Sequence, residues 1–281
     1  MYRELYRFGG VTFALESDAP LERSPVCEAF RVPDGVPDHT ICLRFSDALP
    51  TPPADSLRRD DMFRWQVGAQ RHLLQWVSAP GDIPHFTYAV THGAHTDVIF
   101  ASAYRTGASV STALQAVGLF DVFAARGMLV LHSAYIVTSA GEAILFSGPS
   151  GIGKSTQAAL WQRCAGARVV NGDRALVDVG KKTANGIFYA GTSGISENVT
   201  APIRAIVLLG QSSENRVFIP SPQAAFAGVL SQCAYYDWDV SSAEKMTACA
   251  ARLVSDVPVL RMDCLPDATA VEALRGKLGG I

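Results

Sequence analysis

Gly148-Pro149-Ser150-Gly151-Ile152-Gly153-Lys154-Ser155-Thr156 matches the pattern G-x-x-x-x-G-K-[ST] at every fixed position. The apolar run Ala143-Ile144-Leu145-Phe146 before it reads as a buried strand. Thr156-Gln157-Ala158-Ala159-Leu160-Trp161 after it has helical composition and no breaker. Strand, glycine turn and helix together are the context this motif requires. Glycines let the backbone curl so that successive N–H groups converge on phosphate oxygens, and the following helix aims its positive end at the same point. All nine residues are therefore expected to hold a nucleotide. Lys154 would lie on the β- and γ-phosphates and the Ser155 hydroxyl on Mg²⁺, so ATP and Mg²⁺ are the expected ligands. The competing reading is a glycine-rich turn that binds nothing, and the flanking strand and helix weigh against it.

Outward from the motif, strands and helices alternate. Ser111 to Arg126 carries an apolar stripe at Ala113, Val117, Phe120 and Phe123, which predicts one helix closed by Gly127. Met128 to His132, Ala167 to Val170, Ile203 to Leu209 and Val257 to Met262 read as strands. Ser241-Ser242-Ala243-Glu244 reads as a capping box that opens a helix to about Val254, and a last helix starts near Asp267. Alternation of this kind predicts an α/β domain over 106–281. Residues 1–105 read differently. Short β-branched and aromatic runs at Val11–Leu15, Thr40–Phe45, Phe63–Val67, His72–Val77, Phe86–Val90 and Thr96–Phe100 are mostly separated by turn formers such as Pro33-Asp34-Gly35 and Pro80-Gly81-Asp82. Spacing this close predicts antiparallel pairing in a β-rich accessory domain. Leu49-Pro50-Thr51-Pro52-Pro53 reads as a loop.

Phosphoryl chemistry needs an acid beyond the phosphate loop. Asp173, in Val169-Val170-Asn171-Gly172-Asp173-Arg174, follows an apolar run and is placed to ligate metal or to take an acceptor's proton. Asn-Gly-Asp is equally ordinary hairpin material. His132 ends the run before the loop's strand, where a lone histidine is more often a satisfied core residue. Glu197 lies in the polar loop Gly191-Thr192-Ser193-Gly194-Ile195-Ser196-Glu197-Asn198. It is the fallback acid and a further metal candidate, against the plainer reading of a solvated surface group. Arg174 and Arg204 can touch phosphate or simply pair with surface acids.

Composition bounds the remainder. Hydrophobic residues make up 48% of the 281 positions and charged residues 18%, enough for a core and too apolar for disorder. A net charge of -2 leaves no electrostatic footprint for nucleic acid or an anionic membrane. No apolar run approaches a membrane span, and Met1 to Arg7 lacks the apolar stretch of a signal peptide. Six cysteines, none in a C-x-x-C pair, read as reduced core or surface thiols rather than as a disulfide framework or a zinc site. A cytoplasmic location is expected, without nucleic-acid or membrane partners; homo-oligomerisation is left open.

Taken together, Leu131-His132-Ser133-Ala134-Tyr135, the run from Ile144 through Thr156, and Val170-Asn171-Gly172-Asp173-Arg174 resemble the HPr kinase/phosphorylase-like family. Its nucleotide fold is similar to that of phosphoenolpyruvate carboxykinase. The resemblance covers roughly Leu131 to Gly210 and implies a P-loop kinase domain of that type behind the β-rich accessory domain, an α+β or α/β protein. It also implies an ATP-dependent kinase acting on a serine hydroxyl of a peptide or small protein, since some relatives phosphorylate precursor peptides. His132 then matches the family's active-site histidine and Asp173 one acid of its catalytic pair. Asn171-Gly172 stands where bifunctional members carry a further acid, and Gly191 to Ser196 departs from the family's downstream signature. HPr itself and reverse phosphorolysis are not expected for that reason. A small-molecule kinase and a nucleotide sensor without transfer are the alternatives.

Overall fold

The computed structural model describes residues 1–48, 50–78 and 84–280. The turn expected at Pro80-Gly81-Asp82 and the Leu49 end of the expected loop lie outside the described residues. The chain divides into two compact units, Met1–Val122 and Phe123–Ile281. The sequence puts the change of character at 105/106, ahead of the short helices that follow. In the structure the first of those helices belongs with the N-terminal strands, where Ser111 N donates to Ser24 Oγ and Glu22 N to Ala108 O.

In the N-terminal unit nine strands form one sheet: β1 (Tyr2–Phe8), β2 (Val11–Ser17), β3 (Arg31–Val32), β4 (His39–Phe45), β5 (Leu57–Arg59), β6 (Met62–Val67), β7 (Gln70–Ser78), β8 (Pro84–His92) and β9 (His95–Phe100). Their order is β3-β1-β2-β4-β9-β8-β7-β6-β5. Pairing is antiparallel as the spacing predicts, except at β2–β4 and β4–β9, which are parallel. Side chains alternate with the pleat. On β4, His39, Ile41, Leu43 and Phe45 are buried while Thr40, Cys42 and Arg44 turn outward; on β9, Thr96, Val98 and Phe100 are buried while His95, Asp97 and Ile99 turn outward.

Helix α1 (Pro25–Glu28) lies between β2 and β3, and α2 (Val110–Gln115) and α3 (Leu119–Ala124) come after β9. The single helix expected from Ser111 to Arg126 is two, because Gly118 between them takes φ 67° and turns the chain. Asp121 forms a buried ion pair with Arg64, both side chains 9% exposed, with Arg71 Nη1 3.9 Å away. Asp121→Asn leaves a buried guanidinium facing a neutral amide and is expected to cost about 1–3 kcal/mol. The check is a lower urea midpoint at unchanged m-value.

The C-terminal unit contains β10 (Met128–Val137), β11 (Ala143–Ser147), α4 (Lys154–Ala165), β12 (Arg168–Asn171), β13 (Arg174–Asp178), β14 (Thr183–Asn185), β15 (Thr200–Gln211), β16 (Arg216–Phe218), α5 (Pro222–Leu230), α6 (Val240–Asp256), β17 (Val259–Cys264) and α7 (Ala268–Leu278). Its architecture corrects the expected fold. The chain is a mixed α+β protein, 39% strand against 27% helix, and this unit is not a clear P-loop α/β kinase domain. Strands β10, β13, β14, β15 and β11 pair in that cyclic order, and the β11–β15 pairing closes them into a five-stranded barrel. Among the described residues of this unit, only the β11–β15 and β15–β17 pairings are parallel. The physical reason lies in the connections. A parallel neighbour requires a long crossover, whereas β10 to β11 and β13 to β14 are joined by short turns and must run antiparallel; β12 and β13 continue in one direction along β10.

Two cores result. Leu129, Leu131, Tyr135, Leu145, Val177 and Ile206 pack with Val229 of α5 and Met246 and Leu253 of α6. On the opposite faces of the same strands, Ile144, Phe146, Val207 and Leu209 pack with Leu160 and Trp161 of α4 and Leu274 of α7. β11 is thus covered on both sides, which explains its uninterrupted apolar run. The capping box expected at Ser241 gives way to Asp239, whose side chain accepts from Ser242 N at 3.3 Å; Asp267 caps α7 in the same manner. Among the described residues no helix is long and apolar enough to cross a membrane.

Candidate functional site

β11 is pinned between β10 and β15, so the chain leaves it at a fixed point and reaches α4 through Gly148 to Gly153. The loop curls through left-handed conformations at Gly148 (φ 147°), Gly151 (φ 78°) and Gly153 (φ 110°). At Gly148 the φ calls for glycine, and a Cβ would also crowd Ile152 Cγ2 at 3.2 Å. Lys154 begins α4 and is 7% exposed. Its Nζ donates to the carbonyl oxygens of Gly148 (2.9 Å) and Pro149 (3.0 Å). Burial pushes the Lys154 ammonium below the ordinary lysine range, and Asp173 pulls it back upward. A cation desolvated at a glycine loop and hydrogen-bonded to that loop's own carbonyls is suited to receive a polyphosphate.

The turn between β12 and β13 brings the second element. Asn171 is fully buried, and its Oδ1 accepts from Asp173 N and Arg174 N, both at 2.9 Å. β12 and β13 both pair antiparallel with β10, so Asn-Gly-Asp is not a hairpin but a side-chain-braced bend in one continuous run, and the bend aims Asp173. Ser133 N donates to Asp173 O at 2.9 Å, tying the turn to β10 beside His132. His132 Nε2 lies 3.5 Å from Asp173 Oδ1, and Arg174 Nε lies 3.3 Å from Oδ2. The His132 contact holds the Asp173 carboxyl below the usual range; burial opposes it, and Arg174 reinforces it. The Arg174 guanidinium also stacks over Tyr189, 5.3 Å from the ring centroid.

One cavity of about 270 Å³ joins these parts; His132, Lys154, Ser155, Thr156 and Asp173 line it together with loop residues Ser150, Gly151 and Gly153. The expected phosphate loop, His132 and Asp173 are therefore brought together. Glu197 is not. It is absent from the cavity lining and pairs with Arg168 on the surface. Its loop contributes instead through Thr192 and Ser193, which line the cavity and were not singled out from sequence. The signal was the glycine at each end of Gly191-Thr192-Ser193-Gly194. Gly191 (φ 53°) lets the backbone lie against Asp173, and a Cβ there would stand 2.7 Å from Asp173 Cγ. A larger hollow of about 700 Å³ in the N-terminal unit is lined by Arg3, Glu4, Glu28 and Arg31. Its charges already pair, Arg31 with Glu4 at 3.1 Å and Arg3 with Glu16 at 3.2 Å, so the smaller cavity is the chemically equipped one.

Ser155 and Asp173 supply hard oxygen donors to the same cavity, the ligand type that Mg²⁺ takes. No protein-family model matches the chain, and no curated protein is detectably similar to it.

Proposed function

We propose that the C-terminal unit is an ATP-dependent kinase that moves the terminal phosphate to a serine hydroxyl of a peptide or small protein. The observation that carries this reading is the shared cavity, in which a buried lysine on a glycine loop faces a histidine-bound carboxylate. The serine and peptide specificity rests on the family resemblance. Pocket size is consistent with phosphate capture. Sites for whole small molecules run to about 300–1,000 Å³, so this cavity suits a phosphate chain whose nucleoside lies outside it.

Gly148 to Gly153 offer N–H groups to the phosphate oxygens, and Lys154 turns from its own loop carbonyls to the β- and γ-phosphates. Mg²⁺, held by Ser155 and Asp173, would neutralise charge that builds on the bridging oxygen. Asp173 also accepts a hydrogen bond from the acceptor hydroxyl. The hydroxyl oxygen forms its bond to the terminal phosphorus as the bond to the bridging oxygen breaks; ADP leaves and the proton passes to Asp173 or solvent. A carboxyl held this low is a weak base, so its larger contribution is orientation and metal binding. That suits a loose transition state in which the proton departs late. His132 orients the carboxylate.

Incubating the full-length chain with γ-labelled ATP, Mg²⁺ and a serine peptide library tests the reading. Label on peptide supports it. Label on a metabolite makes the protein a small-molecule kinase, and tight nucleotide binding without transfer makes it a sensor.

Gly191→Ala gives a second check. The new methyl group displaces the Asp173 carboxylate, and a misplacement of this size is expected to lower transfer about 10- to 100-fold. Nucleotide affinity, set by the loop and Lys154, is expected to stay within about twofold. Equal losses in both would mean that the glycine serves the fold rather than the carboxylate.

A further inference from the structure

The nine-stranded sheet is assembled from two halves that are contiguous in sequence. β1 to β4 make one half and β5 to β9 the other, and among the described residues their strands pair with each other only at the parallel seam between β4 and β9. No hairpin closes this seam, because parallel neighbours cannot share one, and parallel pairing is slightly weaker per residue. On the outward face of the seam, Cys42 of β4 stands opposite Asp97 of β9, with His95 two residues earlier on the same face. The Cys42 sulfur, one imidazole nitrogen and one Asp97 carboxylate oxygen all lie within 4.8 Å of one another. His95 Nε2 is already 3.4 Å from Asp97 Oδ1. On the other side of Cys42, Glu16 of β2 is its register partner, with Oε2 3.5 Å from the sulfur.

We propose that Cys42, His95 and Asp97 form a binding site for a divalent transition-metal ion, zinc by its donor set, which staples the two halves of the sheet. Thiolate, imidazole and carboxylate together suit Zn²⁺ and disfavour Mg²⁺ or Ca²⁺, which take oxygen alone. Ligands at about 2.0–2.3 Å from a tetrahedral ion stand about 3.3–3.8 Å apart, so side-chain rotation of about an ångström closes the set. The fourth position falls to water, or to Glu16 if it leaves its ion pair with Arg3. Binding exchanges one proton: the Cys42 S–H bond breaks, the sulfur bonds to the metal, and the proton goes to solvent. Linear spacing conceals the site, because its ligands come from strands adjacent in space and distant in sequence. The six cysteines therefore read as plain thiols. The proposal concerns the N-terminal unit and is independent of the kinase reading.

Cobalt(II) is the probe, titrated into the full-length, chelator-treated chain. The expected result is one equivalent bound, a thiolate-to-cobalt charge-transfer band with tetrahedral ligand-field bands, and displacement by Zn²⁺. Cys42→Ser is expected to abolish the charge-transfer band. His95→Ala and Asp97→Asn are each expected to weaken binding by at least about 100-fold, since loss of mere second-layer partners already costs about 10- to 100-fold. Zn²⁺ is expected to raise the unfolding midpoint of the wild-type chain and not that of Cys42→Ser. Absence of a thiolate band in the wild type overturns the proposal, as does its persistence in Cys42→Ser. Should Cys42→Ser fail to fold, the half-exposed His95→Ala decides: unchanged cobalt affinity in that variant also overturns it.

Discussion

Lys154→Ala is expected to lose nucleotide binding by about 2–5 kcal/mol, the cost of truncating one partner of a desolvated, hydrogen-bonded charge pair. That corresponds to about 30- to 4,000-fold in Kd, measurable by isothermal titration with ATP and Mg²⁺. The size follows from burial. An exposed lysine opposite phosphate would be screened, whereas Lys154 is 7% exposed and already desolvated before any ligand arrives. The stability of the ligand-free chain is expected to change little, because the ammonium's burial penalty disappears with its two carbonyl contacts. Loss of affinity with an intact melt separates a binding role from a structural one. Equal ATP affinity in variant and wild type would remove the nucleotide reading. A pH signature accompanies it. The depressed lysine is neutralised below the ordinary lysine range, so ATP affinity falls in mild alkali. Fewer protons are then bound to the native than to the unfolded chain, and folding stability rises with pH over the interval between the depressed and the ordinary value.

What was legible in the sequence follows how far apart the interacting residues lie. The phosphate loop is contiguous, and its φ requirements are written in its glycines, so Gly148 to Thr156 could be read before any coordinates. The strand before it and the helix after it form as read, as do β9, β15 and α7 near their expected bounds. Barrel closure is different in kind. It depends on β10 pairing with β13 and on β11 pairing with β15, and neither partner's sequence names the other. β13 and β14 are five and three residues long, too short to show a period, and without them the strands seem to alternate with helices. The capping box at Ser241 failed to a competitor two residues upstream: Asp239 accepts the same kind of orphan N–H and sets the helix start earlier. Glu197 illustrates a third limit. Its loop does reach the cavity, but which residue of a loop points inward is decided by backbone turns, here at Gly191 and Gly194, and these turn Thr192 and Ser193 inward.

Asp173→Asn is expected to lower phosphotransfer by about 10²–10⁴-fold, the range seen when a positioned acid–base group is lost. Asparagine keeps the size and one acceptor oxygen, so the Asn171-braced turn and the cavity wall survive. What disappears is the charge that would bind metal and that faces His132 at 3.5 Å. ATP affinity is expected to fall much less, because Lys154 and the loop amides remain. His132→Ala, which removes an orienting contact rather than the carboxylate, is expected to be milder. The carboxyl's depressed pKa fixes the acid behaviour. A lowered folded value stabilises the native chain above the ordinary carboxylate range, and that contribution is lost as pH falls through the folded value. Wild-type stability should therefore carry an acid-side decline that Asp173→Asn lacks, and any fall in activity above the ordinary carboxylate range must come from another group. Glu197→Gln is the control, since that carboxylate is engaged by Arg168 outside the cavity. Near-full transfer by Asp173→Asn together with its loss in Glu197→Gln would assign the acid to the later loop and overturn the assignment made here.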